Sequence, residues 1–216
     1  MDSGYLRVIA SYVVTTFLFS VLIGLGVGAW WSTRLGHRQG AIAAAVLRSF
    51  HRPHKIMHHI TLPTRAGTTE IDHIIVADTG IFIIEAKHYS GMIFGTPADT
   101  KWTQVLYRTR RRFQNPIRQN FGHLKAVRAL FHFPDENFIS LVVFTGSATL
   151  KTDVGPGVIR LAELGQFLNE PRPVVFNKDQ MAMIVGRIEL ARLDRSTETD
   201  EQHINNVRSM LLRRRR

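Results

Sequence analysis

The chain of 216 residues contains no cysteine. That absence removes disulfide frameworks and thiolate zinc sites together, so any metal must be held by oxygen or imidazole. Acid is also missing over a long stretch: between Ser3 and Thr69 there is no Asp or Glu. Before Glu70 there are seven Lys and Arg against the single acid Asp2; from Glu70 onward there are 21 against 16. The whole chain carries a formal charge of +11 with a pI near 10.8. Such a balance favours polyanionic partners, either nucleic acid or an anionic membrane surface. The chain shows no internal repeat, and a hydrophobic fraction of 44% argues against disorder.

Val8 to Trp31 is nearly all apolar. As a helix, its twenty-four residues rise about 36 Å, enough to cross a hydrocarbon core of about 30 Å with some tilt. Trp30 and Trp31 stand where an interfacial aromatic belt lies. A cleaved signal peptide has a shorter apolar core and small residues at its cut, so the segment reads as a transmembrane anchor. Gly24 and Gly28 have the spacing for packing against a second copy, which allows a homo-oligomer. Arg34, Arg38, Arg48, Arg52 and Lys55 follow the segment with no acid among them, against Arg7 and Asp2 before it. The positive-inside rule then puts the N-terminus outside and the C-terminal part in the cytosol.

Beyond the anchor, His37 to Phe50 reads as a helix ended by Pro53, and His54 to Leu62 as a strand. Glu70 to Lys87 reads as a β-hairpin, Gly91 to Thr100 as a loop or short edge strand, and Trp102 to Tyr107 as a strand. Asn115-Pro116 marks a helix start. Ile117, Phe121, Leu124, Val127 and Phe131 follow as its apolar stripe. Phe138 to Phe144 has the continuous apolar run of a central strand, and Gly157 to Leu161 a shorter one. Leu164 to Leu168, Asp179 to Leu193 and Thr199 to Leu212 read as helices, the last with a Thr199/Gln202 capping box. The order describes an α/β domain layered on a mixed sheet.

The hairpin holds the chemistry. Buried strands normally exclude charge, yet this one carries Asp72, Glu85 and Lys87. With a two-residue loop at Asp78-Thr79, Asp72 faces Glu85, and Lys87 shares their side of the sheet. A three-residue loop with a Gly80 bulge would break the convergence, and the sequence leaves both registers open. Opposed carboxylates repel unless a cation or a proton intervenes. Mg²⁺ or Mn²⁺ suits such oxygen ligands and keeps waters and substrate phosphates in its shell. An Asp72–Lys87 or Glu85–Lys87 ion pair at the sheet end is the plainer alternative.

Arg108, Arg110, Arg111 and Arg112 precede the Asn115 helix and, with Arg118, read as phosphate contacts or as a solvated charge run. Nothing there points to base readout. His51, His54, His58 and His59 read as surface or DNA-facing groups rather than zinc ligands, His73 as a packing residue, and Trp102 as core.

An ordered set of motifs resembles the nuclease-related (NERD) domain. It comprises Ile71-Asp72-His73, Gly80-Ile81-Phe82-Ile83-Ile84-Glu85-Ala86-Lys87, Gly91-Met92-Ile93-Phe94-Gly95, Trp102 and Asn115-Pro116-Ile117-Arg118-Gln119-Asn120. The resemblance covers roughly residues 36 to 150 and implies kinship with the PD-(D/E)xK nucleases. It implies an α-β-β-β-α-β core, a mixed central sheet flanked by helices, here preceded by one transmembrane helix. By the same resemblance Asp72 and Glu85 hold a divalent metal, Lys87 is the catalytic lysine, and Gln119 points at the site. A Tyr that follows four residues later in the RecB-like branch is replaced by His123. Members often carry a Glu in the first helix; Gly40-Ala41-Ile42-Ala43-Ala44 offers none, which points to one ion rather than two. The expectation is therefore an anchor (1–33), a nuclease-like domain (34–150) and an α/β extension with a basic tail (151–216). Its expected activity is metal-dependent cleavage of nucleic acid, DNA in the first place. The alternatives are an inert nucleic-acid-binding module or a membrane-tethered scaffold.

Overall fold

The computed structural model describes residues 40–65 and 67–193. The expected anchor Val8 to Trp31, the expected helix Thr199 to Leu212 and the arginine tail lie outside the described residues. Among the described residues no helix is long and apolar enough to cross a membrane.

Residues 40–49 are helical (α1); alanine supplies propensity, and Ile42 and Val46 supply a buried face. Three strands follow, β1 (His54–Thr64), β2 (Gly67–Ala77) and β3 (Gly80–Lys87). They pair antiparallel in sequence order. Next come β4 (Gly91–Phe94), β5 (Lys101–Leu106), β6 (Thr109–Gln114) and α2 (Pro116–Arg128). The described chain continues through β7 (Phe138–Phe144), β8 (Ala148–Leu150), β9 (Val158–Arg160), α3 (Leu164–Leu168) and α4 (Lys178–Ala191).

These strands form two mixed sheets. The larger has five strands in the order β1-β2-β3-β7-β9, with β7 parallel to β3 and β9 parallel to β7. The smaller has four strands in the order β6-β5-β4-β8, with β8 parallel to β4. The expected order of helix, three strands, helix and strand is present, with most of a second sheet inserted between β3 and α2. That second sheet is the chief departure from the single mixed sheet read in the sequence. Arg108 to Arg112, a charge run with no strand signal of its own, runs from the turn into β6. Only Phe113 is partly buried in this strand, so it shows almost no apolar alternation to read.

Strand alternation divides the large sheet into two faces. Ile75, Phe82, Ile84, Leu141 and Val143 pack with α1 and α3. Ile74, Val76, Ile81 and Ile83 pack with Leu124 and Val127 of α2 and Met181, Ile184 and Ile188 of α4. At the β7 side, Val142, Phe144 and Val158 meet Ile93 and Trp102 of the small sheet. Strand β9 and helices α3 and α4 thus belong to the same cores as the residues before position 150.

One stripe is rotated from its expected place. The buried residues of α2 are Pro116, Asn120, His123, Leu124 and Val127, whereas Phe121 is half exposed beneath the Lys125 ammonium. Two polar residues replace the expected aromatic on the face that meets the sheet.

Candidate active site

The hairpin adopts the two-residue turn. Ala77 pairs with Gly80, Val76 with Ile81, Ile74 with Ile83 and His73 with Ile84, where the ladder ends. Just beyond it the Asp72 carboxylate accepts from the Ala86 amide and lies close enough to Glu85 to feel its charge. The turn itself is clamped. Arg52 forms a bidentate pair with Asp78 at 2.8 and 2.9 Å, and the Asp78 carbonyl accepts from the amides of Val175 and Phe176. Glu85 and Lys87 have the parity of Ile81 and Ile83 and meet His123 and Gln119 of α2 rather than α1. Asp72 is held beside them by the Ala86 amide. The first helix, which contains no acid, packs on the reverse face.

Glu85 is 3% exposed and both its oxygens are engaged. Lys87 Nζ lies 2.5 Å from Oε1, and His123 Nε2 lies 3.1 Å from Oε2. Lys87 also donates to Gln119 Oε1 at 3.0 Å. His123 Nδ1 is 2.7 Å from the Thr69 hydroxyl. With Glu85 ionised, Nε2 carries the ring proton, and in the neutral ring Nδ1 accepts from Thr69. Asp72 Oδ2 accepts from the Ala86 amide at 2.8 Å, while Oδ1 has no protein donor among the described residues.

The two carboxylates are driven apart in acidity. Burial, then the neighbouring Glu85, pushes Asp72 up to about 6. Burial would raise Glu85 as well, but hydrogen bonding from His123 and the charge of Lys87 outweigh it and hold this carboxyl below its ordinary range. Glu85 is thus the more acidic of the two, and Asp72, for which the Ala86 amide and the nearby Lys87 offset burial only in part, is the less compensated carboxylate.

Helix α2 brings Gln119 and His123 to this cluster because two asparagines fix it. Asn115 caps the helix by accepting from Ile117 N, and its amide donates to the carbonyls of Thr96, Pro97 and Asp99. Asn120, fully buried, donates to the carbonyls of Ile83 and Leu141 and to Ser140 Oγ, tying the helix across β3 and β7. Thr69, Asn120 and His123 were not among the expected site residues. His123 had a signal, since it follows Gln119 by four positions and so shares its helix face; Thr69 had none.

Residues 35–145, slightly over half of the chain, match the nuclease-related domain, the stretch that contains every residue of this cluster. The chain belongs to the NERD family. An uncharacterized protein of Bacillus anthracis is 40% identical over 97 residues, which is 44% of this chain and 45% of that protein. The chain therefore spans less than half the length of this curated relative. No solved structure matches.

The NERD motifs divide into those that meet at the cluster and those that pack. Gly91 has φ +82°, and a Cβ there would strike the Val105 carbonyl; Gly95 lies flat against the Trp102 ring. Trp102 is fully buried and donates to the Thr96 carbonyl. These motif residues build the small sheet and its junction with α2. Asp72, Glu85, Lys87 and Gln119 are brought together at the end of the β2–β3 hairpin. The arginines are not part of the same contacts. Arg118 donates to the Ala98 carbonyl, and Arg108, Arg110, Arg111 and Arg112 are exposed on the β5–β6 hairpin. His73 is buried edge-on to His58.

The donor set can be tested against a divalent ion. Among the described residues no group of three or more His, Asp or Glu is placed to hold a metal. Two carboxylates are present: both Glu85 oxygens are taken by Lys87 and His123, and Asp72 keeps one oxygen free of protein donors and a raised pKa that a cation would relieve. That set fits an ion which takes a few protein oxygens and completes its shell with water and phosphate, as Mg²⁺ does. It does not fit a closed structural site.

Proposed function

We propose that this NERD protein is a divalent-metal-dependent nuclease acting on DNA, anchored to the membrane by its N-terminal segment. The observation that carries the reading is the convergence of Asp72, Glu85 and Lys87 at the end of one hairpin, with Gln119 of α2 in contact with the lysine. Asp72 and Glu85 would hold one Mg²⁺ or Mn²⁺. The chemistry such an ion supplies is polarisation of the scissile phosphate and a more acidic bound water. Lys87 places a positive charge beside the carboxylates, where it stabilises charge developing on the phosphate or orients the attacking water. Gln119 and Glu85 fix the direction of that ammonium. His123 and Thr69 hold Glu85 from behind, so that it stays ionised and in one rotamer.

A second reading draws on the engagement of both Glu85 oxygens, which a fully satisfied ion pair would also explain: a domain that binds nucleic acid without turnover. Incubating the full-length protein with single- and double-stranded DNA, with and without Mg²⁺ or Mn²⁺, separates the two. The nuclease gives cleavage that chelation abolishes and that Lys87→Ala lowers by about 10²–10³-fold. Salt-sensitive binding with no cleavage in either metal overturns it and leaves the inert module.

A further inference from the structure

The small sheet turns one face toward the core and the other toward solvent, and the outer face is unusual in composition. Ile93, Trp102 and Phe113 point inward. The register of the sheet puts Met92 and Phe94 of β4, Thr103 and Val105 of β5, and Arg110 and Arg112 of β6 on the opposite side. Met92 and Phe94 are 39% and 37% exposed although β4 is an interior strand, flanked by β5 and β8. Both arginines are exposed, and neither forms an ion pair among the described residues. At the tip of the same hairpin Tyr107 is 95% exposed with φ +53°, a conformation that bulky side chains rarely adopt.

Charge on an edge strand guards against sheet extension, and that accounts for arginine on β6. It does not account for an outward Phe and Met on an interior strand, nor for an aromatic side chain held in a strained turn. The two-residue turn between Leu106 and Thr109 demands a positive φ at its first position. A bulky aromatic there in place of Gly, Asn or Asp is what points to use. One outward ring on β4 and a second at the hairpin tip, with two arginines on β6 that form no ion pair among the described residues, match the chemistry of bases and phosphates alternating along a strand. A duplex buries its base faces in its own stack, so rings on a flat sheet face can engage only unpaired bases. The platform is close to the cluster on β3: Lys87 and Met92 are five residues apart, no more than about 18 Å of chain.

We infer that the outer face of the small sheet, with Tyr107 at its tip, binds single-stranded nucleic acid, bases stacking on Phe94 and Tyr107 and phosphates lying on Arg110 and Arg112. This deepens the nuclease reading and rests on it for the choice of nucleic acid as the partner. It makes the substrate a single strand or an unpaired end, delivered toward Lys87.

The test is fluorescence anisotropy of the full-length protein with a labelled oligothymidylate and with a blunt duplex of the same length, in chelator so that turnover is absent. The expected result is tighter binding of the single strand. Phe94→Ala and Tyr107→Ala should each weaken it about tenfold or more, and Phe94→Tyr should restore it. The double change Arg110→Gln with Arg112→Gln should lower the slope of log K against log salt by about 1.4. All three side chains on the sheet are exposed, and a thermal melt of each variant checks that the fold is kept. Equal affinity for the two DNAs with no effect of Phe94→Ala overturns the inference. Failure to bind DNA, with arginine-dependent binding to phosphatidylglycerol vesicles instead, overturns it in favour of a lipid-facing patch. The cleavage assay is read separately: Phe94-dependent binding without cleavage sinks the nuclease alone, and cleavage with Phe94-independent binding sinks the platform alone.

Discussion

Glu85 takes a cation on one oxygen and an imidazole on the other, and the imidazole is backed by a hydroxyl. Removing the ring leaves a buried carboxylate oxygen with no donor and strands the Thr69 hydroxyl. His123→Ala should therefore cost about 1–3 kcal/mol, read as a lowered denaturation midpoint. His123→Asn, which can still donate, should recover part of the loss; equal destabilisation by both would show that ring volume, and not the hydrogen bond, is what matters. Asp72 supplies the pH dependence. Its carboxyl is raised from 3.8 to about 6 in the folded protein. Folding favours its protonated form, so its contribution is fully present below about 3.8 and is lost as pH rises through about 6. Asp72→Asn keeps an acceptor for the Ala86 amide and removes the charge. The metal-free variant should gain up to about 3 kcal/mol over wild type on going from acid to pH 8. At pH 8, Mg²⁺ should raise the melting temperature of wild type and leave that of Asp72→Asn unchanged. A flat difference between the two proteins across pH would show that Asp72 titrates as an ordinary surface acid.

At the scale of elements, the hairpin was legible and its register was not. The apolar runs on either side of Asp78-Thr79 announce two strands, but the turn lacks the Asn-Gly or Gly-Gly signal that would select a two-residue loop. The choice comes from outside the hairpin, from Arg52 on the Asp78 carboxylate and from two amides of the 175–176 segment on its carbonyl. Those partners are distant in sequence, which is why only the structure decides whether Asp72 meets Glu85. Asp78→Ala should lower stability by about 1 kcal/mol or somewhat more, because the lost pair is charge-assisted and only partly exposed. It should also speed amide exchange in the strand ends next to the turn. The start of α2 was legible from Asn115-Pro116, but its inner face was not. Hydropathy placed Phe121 inside, whereas the helix turns Asn120 and His123 inward because the sheet offers two carbonyls and a carboxylate there. Polar residues that recognise polar partners leave no hydrophobic trace. Asn120→Leu should accordingly destabilise despite being apolar and of similar size, since it abandons the carbonyls of Ile83 and Leu141.

For the whole molecule, the distribution of charge and hydropathy carries the proposal that the domain works beside a membrane. The apolar stretch from Val8 to Trp31 is long enough to span, and the cations after it, from Arg34 to Lys55, precede the first acid of the domain by a wide margin. One of these cations has a second role, since Arg52 is committed to Asp78 once the domain folds. Topology is set while the chain is still extended, so that ion pair does not weaken the positive-inside bias. A basic domain tethered at the cytosolic surface would meet anionic headgroups on one side and nucleic acid on the other, and salt screens both. Two fractionations test the arrangement without relying on activity. After extraction of cell membranes with alkaline carbonate, the full chain should stay in the pellet, whereas a chain lacking residues 1–33 should be released. Protease added outside intact cells should leave the domain uncut, and should cut it only once the membrane is permeabilised. Release of the full chain by carbonate would reduce the anchor to a peripheral contact. Digestion from outside would reverse the orientation and remove DNA inside the cell as the substrate, since the Asp72–Glu85–Lys87 cluster would then face the wrong compartment.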